Sequence, residues 1–234
     1  MGDSLARGGK KAAVDRGPVE GPWDLPVGWR WERLGALGEW FGGGTPSKAV
    51  PDFWTNGEIP WVSPKDMKRF DLSDTEDHIT EAAIAASATK LVPAQSVLCV
   101  MRSGILKHSF PVALTSRPVT LNQDLRAVHP RADIAPRYLA YFLRCSAQAI
   151  LHECSKDGTT VDSIEAGRLM QVPVPLPEKR EEQEAIVARI DTLFAEIDEG
   201  LGLLSSVGMA SSYSGLIATL RQSVLAAAYR GELA

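Results

Sequence analysis

Val172-Pro173-Val174-Pro175-Leu176-Pro177, followed at once by the charged segment 178–204, is the stretch that decides the architecture. Three alternating prolines remove N–H donors that a helix interior or a central strand needs, so 173–177 is expected as an extended, Pro-rich spacer. Beyond it, Ile186, Ile190, Leu193, Ile197, Leu201 and Leu204 recur at steps of three and four, a single apolar stripe on a helix. Glu182, Arg189, Glu196 and Glu199 take the opposite face. Such a stripe must be buried against something. Leu216, Leu220 and Val224, with Ala227 or Ala228, resume the pattern after 205–215, a Ser- and Gly-rich stretch that weakens or breaks the helix. A continuous helix over 178–230 would extend about 75–80 Å, at about 1.5 Å per residue. The alternative is that these helices fold back onto the domain that precedes them. The spacer and the length of the stripe favour a protruding helical arm over 178–234.

Working outward, residues 1–22 are Gly- and charge-rich and are expected as a disordered tail. Order is expected from Trp23-Asp24-Leu25-Pro26, and the globular domain over 23–172. Phe41-Gly42-Gly43-Gly44-Thr45-Pro46 reads as a loop, because three glycines and a proline do not hold a regular element. Ile59–Val62 reads as a short strand entering the polar loop Ser63-Pro64-Lys65-Asp66-Met67-Lys68-Arg69. Alanine-rich 79–89 reads as a helix, and 96–101, 112–114, 119–121 and 125–128 as strands bounded by turns. In 136–150, Tyr138, Leu139, Phe142, Leu143 and Ile150 recur near helical spacing. Short strands and helices without a repeating βαβ rhythm give an α+β (mixed α/β) fold class.

Composition narrows the function classes. Of 234 residues 44% are hydrophobic, enough for a sizeable core, yet no apolar run reaches membrane-spanning length. The N-terminus lacks the apolar stretch of a signal peptide. Cys99, Cys145 and Cys154 are odd in number and lack metal spacing, which suits reduced thiols in a cytoplasmic protein. Net charge is −4, but it is unevenly spread. Residues 161–234 hold 11 acidic and 6 basic groups, whereas 84–148 holds eight Lys/Arg against two acids. A local basic field suits phosphate attraction whatever the global sum; an ordinary solvated surface is the alternative.

Four stretches, in order, resemble a known family. They are Leu25-Pro26-Val27-Gly28-Trp29 leading to Gly43-Gly44-Thr45-Pro46-Ser47; Trp54 and Gly57 leading to Ile59-Pro60-Trp61-Val62-Ser63; Arg102-Ser103-Gly104 with Leu121-Asn122-Gln123-Asp124-Leu125; and Gly158-Thr159-Thr160-Val161 leading through the proline stretch, Glu182-Gln183, Ile186-Val187 and Ile190 to Ser223-Val224-Leu225, Ala227-Ala228 and Gly231-Glu232-Leu233. Together they resemble the DNA specificity subunit of type I restriction–modification systems. The usual member has two target recognition domains, each followed by a helical arm. This chain has one of each and no internal repeat, so it looks like a half-length form. The resemblance implies a non-catalytic subunit that directs adenine methylation and restriction to a bipartite DNA target. It implies methyltransferase (modification) subunits and a restriction/motor subunit as partners. S-adenosylmethionine, ATP and Mg would belong to those partners, with no cofactor bound directly here. A second arm, from another copy or a complementary half-subunit, would cover the stripe.

The residues suit that chemistry. Phosphate contacts place a DNA-reading protein, and base-edge contacts choose the sequence. Lys65, Lys68 and Arg69 share one polar loop; Arg102, Lys107 and His108 flank a second turn; Gly43 and Thr45 lie in the glycine loop. Solvated loops, a carboxylate partner for Arg102 and a plain structural turn at Gly43 are the respective alternatives. Asn122 and Gln123 are expected to satisfy backbone groups inside the domain. Asp71, Asp74, Glu76 and Asp77 read as a solvated acidic loop without basic partners. There is no Gly-Lys-Ser/Thr phosphate loop, no Gly-x-Ser-x-Gly elbow and no Asn-Pro-Pro-aromatic tetrapeptide, and the four histidines are scattered, so no metal site is expected. Two other classes stay open: a truncated subunit that sequesters the methyltransferase, and a methyltransferase or nuclease in its own right.

Overall fold

The computed structural model describes residues 18–156, 161–206 and 210–233. Most of the expected N-terminal tail, the Gly158-Thr159-Thr160 motif and residues 207–209 lie outside it. In chain order the elements are β1 (Trp29–Arg33), β2 (Gly38–Gly42), β3 (Ile59–Val62), β4 (Asp71–Leu72), β5 (His78–Ile79), α1 (Glu81–Ala86), β6 (Val97–Val100), β7 (Val112–Thr115), β8 (Thr120–Leu121) and β9 (Leu125–Pro130). Then follow α2 (Pro136–Cys145), α3 (Ala147–Cys154), α4 (Ala166–Gln171), β10 (Pro173–Pro177), α5 (Arg180–Ser206) and α6 (Ala210–Tyr229).

A five-stranded sheet, ordered β2-β9-β6-β7-β4, forms the centre. Val97-Leu98-Cys99-Val100 in β6 is buried throughout, which is why it reads as a continuous apolar run rather than an alternating one. A three-stranded sheet, β5-β3-β8, flanks it, and β1 pairs with β10 in a two-stranded ribbon. Helix α2 begins on Pro136, whose missing N–H costs nothing in a first turn. Tyr138–Leu143 is buried all round, because α2 lies between the sheet and the C-terminal helices.

The proline stretch is extended, as expected, but it is paired rather than standing free. Trp29↔Pro177, Trp31↔Pro175 and Arg33↔Pro173 are in register with β1. The ribbon has only two strands, so prolines at alternate positions cost no donor on its unpaired edge. Val174 and Leu176 between them are fully buried. Pro175 O also accepts from Tyr138 Oη at 2.7 Å.

Helix α5 is pinned where it leaves β10. Gln183 is 1% exposed; its Oε1 accepts from Ala135 N at 2.8 Å, and its Nε2 donates to Asp133 O at 3.1 Å and Pro177 O at 3.2 Å. Trp29 Nε1 donates to Glu182 at 2.8 Å beside it. Helix α6 then runs back antiparallel to α5. Arg221 pairs with Asp198 and lies over the Phe194 ring, and at the base Tyr229 sits edge-on to Tyr138 and Phe142. Tyr229 Oη donates to Tyr138 O at 2.6 Å, and Gln222 Nε2 to Cys145 O at 2.7 Å.

The two expected helices are therefore present, but as a hairpin seated on α2 rather than as one rod. The physical reason lies at the end of α6, where Leu225, Ala228 and Tyr229 find an apolar seat on the chain's own body. Of the expected stripe, Ile186 and Ile190 are buried; Leu193, Ile197, Leu201 and Val224 are half-buried. The side chain of Leu204 lies outside the described residues. Leu216 and Leu220 are off the seam, 55% and 44% exposed.

Candidate nucleic-acid interface

Strand directions gather the loops at one end. Both β2 and β6 pair antiparallel with β9, so both finish where β9 begins. Strand β8 reaches the same place through the turn 122–124, and β3, parallel to β8, ends beside it. Strand β7 starts there after β6, and the segment after β3 runs from that edge to β4, which pairs with the last two residues of β7. The glycine loop, the Ser63–Phe70 segment, the Arg102–Ser109 connection and the 122–124 turn thus share one edge.

Backbone contacts lock that edge. Gly44 N donates to Leu121 O at 2.9 Å, and Asn122 N to Val62 O at 2.9 Å. A Cβ on Gly43 would stand 1.8 Å from Asn122 O, so this glycine is demanded by close approach of two backbones. It makes a structural turn. Trp61 Nε1 donates to Gly44 O at 3.0 Å, holding the loop from beneath. Asn122 is buried, as expected, and its Oδ1 accepts from Asp124 N at 3.0 Å. Gln123 departs from expectation: it is exposed at the tip of the turn, where its Oε1 accepts from Thr45 Oγ1. The cap made by Asn122 turns the next side chain outward, which residue type alone does not reveal.

The expected cations divide into two groups. Arg102 pairs with Asp124 at 2.7 Å. Lys65 pairs with Asp77 at 3.0 Å and Glu76 at 3.1 Å, and these contacts, Asp77 first, raise its pKa. The acidic cluster is thus not partnerless: Asp71 also meets Arg137 at 2.9 Å and Asp74 meets His78 at 2.7 Å. These partners are distant along the chain or hidden by loop geometry. Lys68, Arg69, Lys107 and His108 are exposed, and among the described residues none has a carboxylate within ion-pair distance. The basic run of 84–148 does not form one patch. Arg117 donates to Glu58 O at 3.2 Å, Arg131 joins Glu32 and Asp133, and Arg137 and Arg144 lie over the Phe70 ring.

Other chemistry is weakly provided. Burial pushes the Cys99 thiol up to about 12, and those of Cys145 and Cys154 to about 11, so thiolates are disfavoured at neutral pH. Among the described residues no three His, Cys, Asp or Glu side chains gather as a metal site, and no helix is long and apolar enough to cross a membrane.

Fold and edge together define a class: a mixed α/β domain that presents loops at one end of its sheet and carries a helical hairpin. Residues 26–202 match the type I restriction modification DNA specificity domain, and the chain belongs to that family. It is 44% identical over 173 residues to the EcoR124I/EcoR124II specificity subunit of Escherichia coli, covering 73% of this chain and 43% of that protein. It is 28% identical over 178 residues to the MjaIX specificity subunit of Methanocaldococcus jannaschii, covering 75% and 40%. The chain therefore spans less than half the length of these relatives. In fold it resembles a chain from a type I restriction–modification system (TM-score 0.59, 23% identity, 90% of this chain and 48% of that one). The HsdS subunit from Thermoanaerobacter tengcongensis is similar too (TM-score 0.53, 22% identity, 90% and 47%).

Proposed function

We propose that this chain is a non-catalytic DNA-recognition subunit of a type I restriction–modification complex, contributing one recognition domain and one helical arm. One observation carries the reading: in a chain of this family, the loops converge on one edge that offers Lys68, Arg69 and Lys107, none with a carboxylate partner among the described residues. Those cations would contact phosphates, with His108 and Thr45 nearby. Arg102 and Gln123, exposed on the same edge, would meet base edges in this reading, since arginine can pair with guanine and glutamine with adenine. Lys65 and Gly43 serve the shape of the edge. The helical arm would join two such bodies and dock methyltransferase subunits, with Leu203, Leu216 and Leu220 offering outward apolar contact. Methyl transfer, cleavage, S-adenosylmethionine, ATP and Mg belong in this reading to partner subunits.

The test is charge reversal at Lys68, Arg69 and Lys107. Assembly with the methyltransferase should survive, while DNA affinity and its dependence on salt fall together. Unchanged DNA affinity would favour the sequestering subunit instead. Isothermal titration of the chain alone with S-adenosylmethionine should give no heat of binding; a saturable signal would favour the catalytic class.

A further inference from the structure

We propose that Tyr141, backed by Asp191 and Phe194 of α5, is a positioning residue that sets where Lys68 and Arg69 stand on the loop edge. The grip of that edge on DNA then depends on α5, which touches none of its loops directly through Lys68 or Arg69. This rests on the recognition reading above and names what holds the edge in place.

Lys68 and Arg69 have no carboxylate of their own among the described residues, so their chain neighbours set their place. Upstream, Ser63 and Asp66 close a capping box over Pro64–Asp66, with Ser63 N donating to Asp66 Oδ2 at 2.9 Å. Downstream, Phe70 and Asp71 rest on α2. The Phe70 ring stacks on Tyr141, with centroids 4.8 Å apart and planes 12° from parallel. Asp71 Oδ1 accepts from Arg137 Nη2 at 2.9 Å. Arg137, Tyr141 and Arg144 are spaced by four and three residues, so they form one stripe of α2. Arg144 closes the far end of it, 4.9 Å from the Phe70 centroid.

The same stripe meets α5. Tyr141 Oη donates to Asp191 Oδ1, and the Tyr141 ring meets Phe194 edge-on at 5.7 Å. Arg137 Nε stands 4.0 Å from Asp191 Oδ2, so one guanidinium spans a loop carboxylate and an arm carboxylate. Asp191 and Phe194 are three residues apart and share a face of α5. Tyr141 is 3% exposed; burial, then the Asp191 hydrogen bond, push its phenol up, so it stays a proton donor at neutral pH. Plain packing does not account for this set. Aliphatic side chains fill a gap between a loop and two helices with less desolvation. Here a phenol, a guanidinium and two carboxylates are matched by direction instead. The ion pairs are part-exposed and add little to stability. What they fix is orientation, and orientation is what phosphate-placing cations need.

The experiment follows the loop and its grip on DNA separately, in the full chain. In a Cys145→Ala background, whose two remaining cysteines are buried, a nitroxide label on Lys68→Cys reports local motion by electron paramagnetic resonance. Tyr141→Phe and Asp191→Ala should each sharpen the spectrum. Tyr141→Phe added to Asp191→Ala should change nothing further, because the two break one shared hydrogen bond. Spectra unchanged by either substitution overturn the proposal. With Lys68 in place and no label, affinity for a fluorescein-labelled mixed-sequence duplex at low salt should fall roughly 3- to 10-fold in each variant. For Asp191→Ala the sign decides, since deleting an acid strengthens DNA binding by charge alone. Glu196→Ala removes an exposed acid from the same helix and is the charge control. If Asp191→Ala tightens binding as that control does, the proposal is wrong. In a chain already carrying Lys68→Ala and Arg69→Ala, Asp191→Ala should lower affinity no further. An equal loss in both backgrounds means a general loss of structure and also overturns it. If the spectra respond but charge reversal at Lys68, Arg69 and Lys107 leaves DNA affinity unchanged, the recognition reading falls and the positioning role stands.

Discussion

At the scale of single residues, Gln183 shows how one polar side chain pins the start of a helix to the sheet-bearing body. Its amide satisfies one N–H and two carbonyls at the meeting of β10, α5 and the loop before α2. Gln183→Leu keeps the volume roughly but strands those groups in a buried site. The expected loss is about 1–3 kcal/mol of unfolding free energy, measured by urea denaturation. Loss below that would mean water replaces the amide. Asp133, next to this clamp, gives a pH prediction. The Arg131 guanidinium bonds its carboxylate and holds its pKa below the ordinary 3.8. A carboxyl depressed in the folded state stabilises above its unfolded pKa, and that contribution fades as pH falls through the lower folded value. Melting temperature should therefore drop on acidification below about pH 4, with a shallower drop in Asp133→Asn. Equal slopes in the two proteins would remove Asp133 from the account.

At the scale of elements, Tyr229 is the anchor of α6. Its ring fills the gap between Tyr138 and Phe142, and its hydroxyl is spent on Tyr138 O. Tyr229→Ala should cost about 3–5 kcal/mol and raise amide exchange through α6 before the sheet is affected. Uniform loss of protection would show that α6 and the sheet unfold as one unit. Much at this scale was legible in the sequence. The strands β3, β6, β7 and β9 are short apolar runs between turns, and α2 and α5 carry helical periodicity strong enough to stand alone. What was not legible depends on partners far along the chain. Trp29-Arg30-Trp31-Glu32 alternates like a strand, but its partner is the proline stretch near the other end, whose missing donors suggested a free spacer. Strands β4 and β5 have two residues each and no periodicity to read. At the candidate site the cations were visible by type. Their sorting into paired Lys65 and Arg102 and unpaired Lys68, Arg69 and Lys107 was not, because Glu76, Asp77 and Asp124 reach them only through loop geometry.

At the scale of the whole molecule, the same asymmetry that makes net charge misleading assigns the two ends different work. On the proposed reading, an acid-rich arm would repel phosphate, and DNA would be directed toward the loop edge rather than along the helices. The arm leaves Leu203, Leu216 and Leu220 exposed, an apolar surface that pairing with a second chain would cover. If the proposed pairing through the arm is coupled to folding, stability depends on protein concentration, because the dimer is favoured by mass action whereas unfolded chains are single. The melting temperature should then rise with concentration, on the order of 2 °C for each tenfold increase for a dimer of this size. Differential scanning calorimetry over two decades of concentration measures it. A midpoint independent of concentration, with reversible unfolding, would show that the monomer carries the stability by itself.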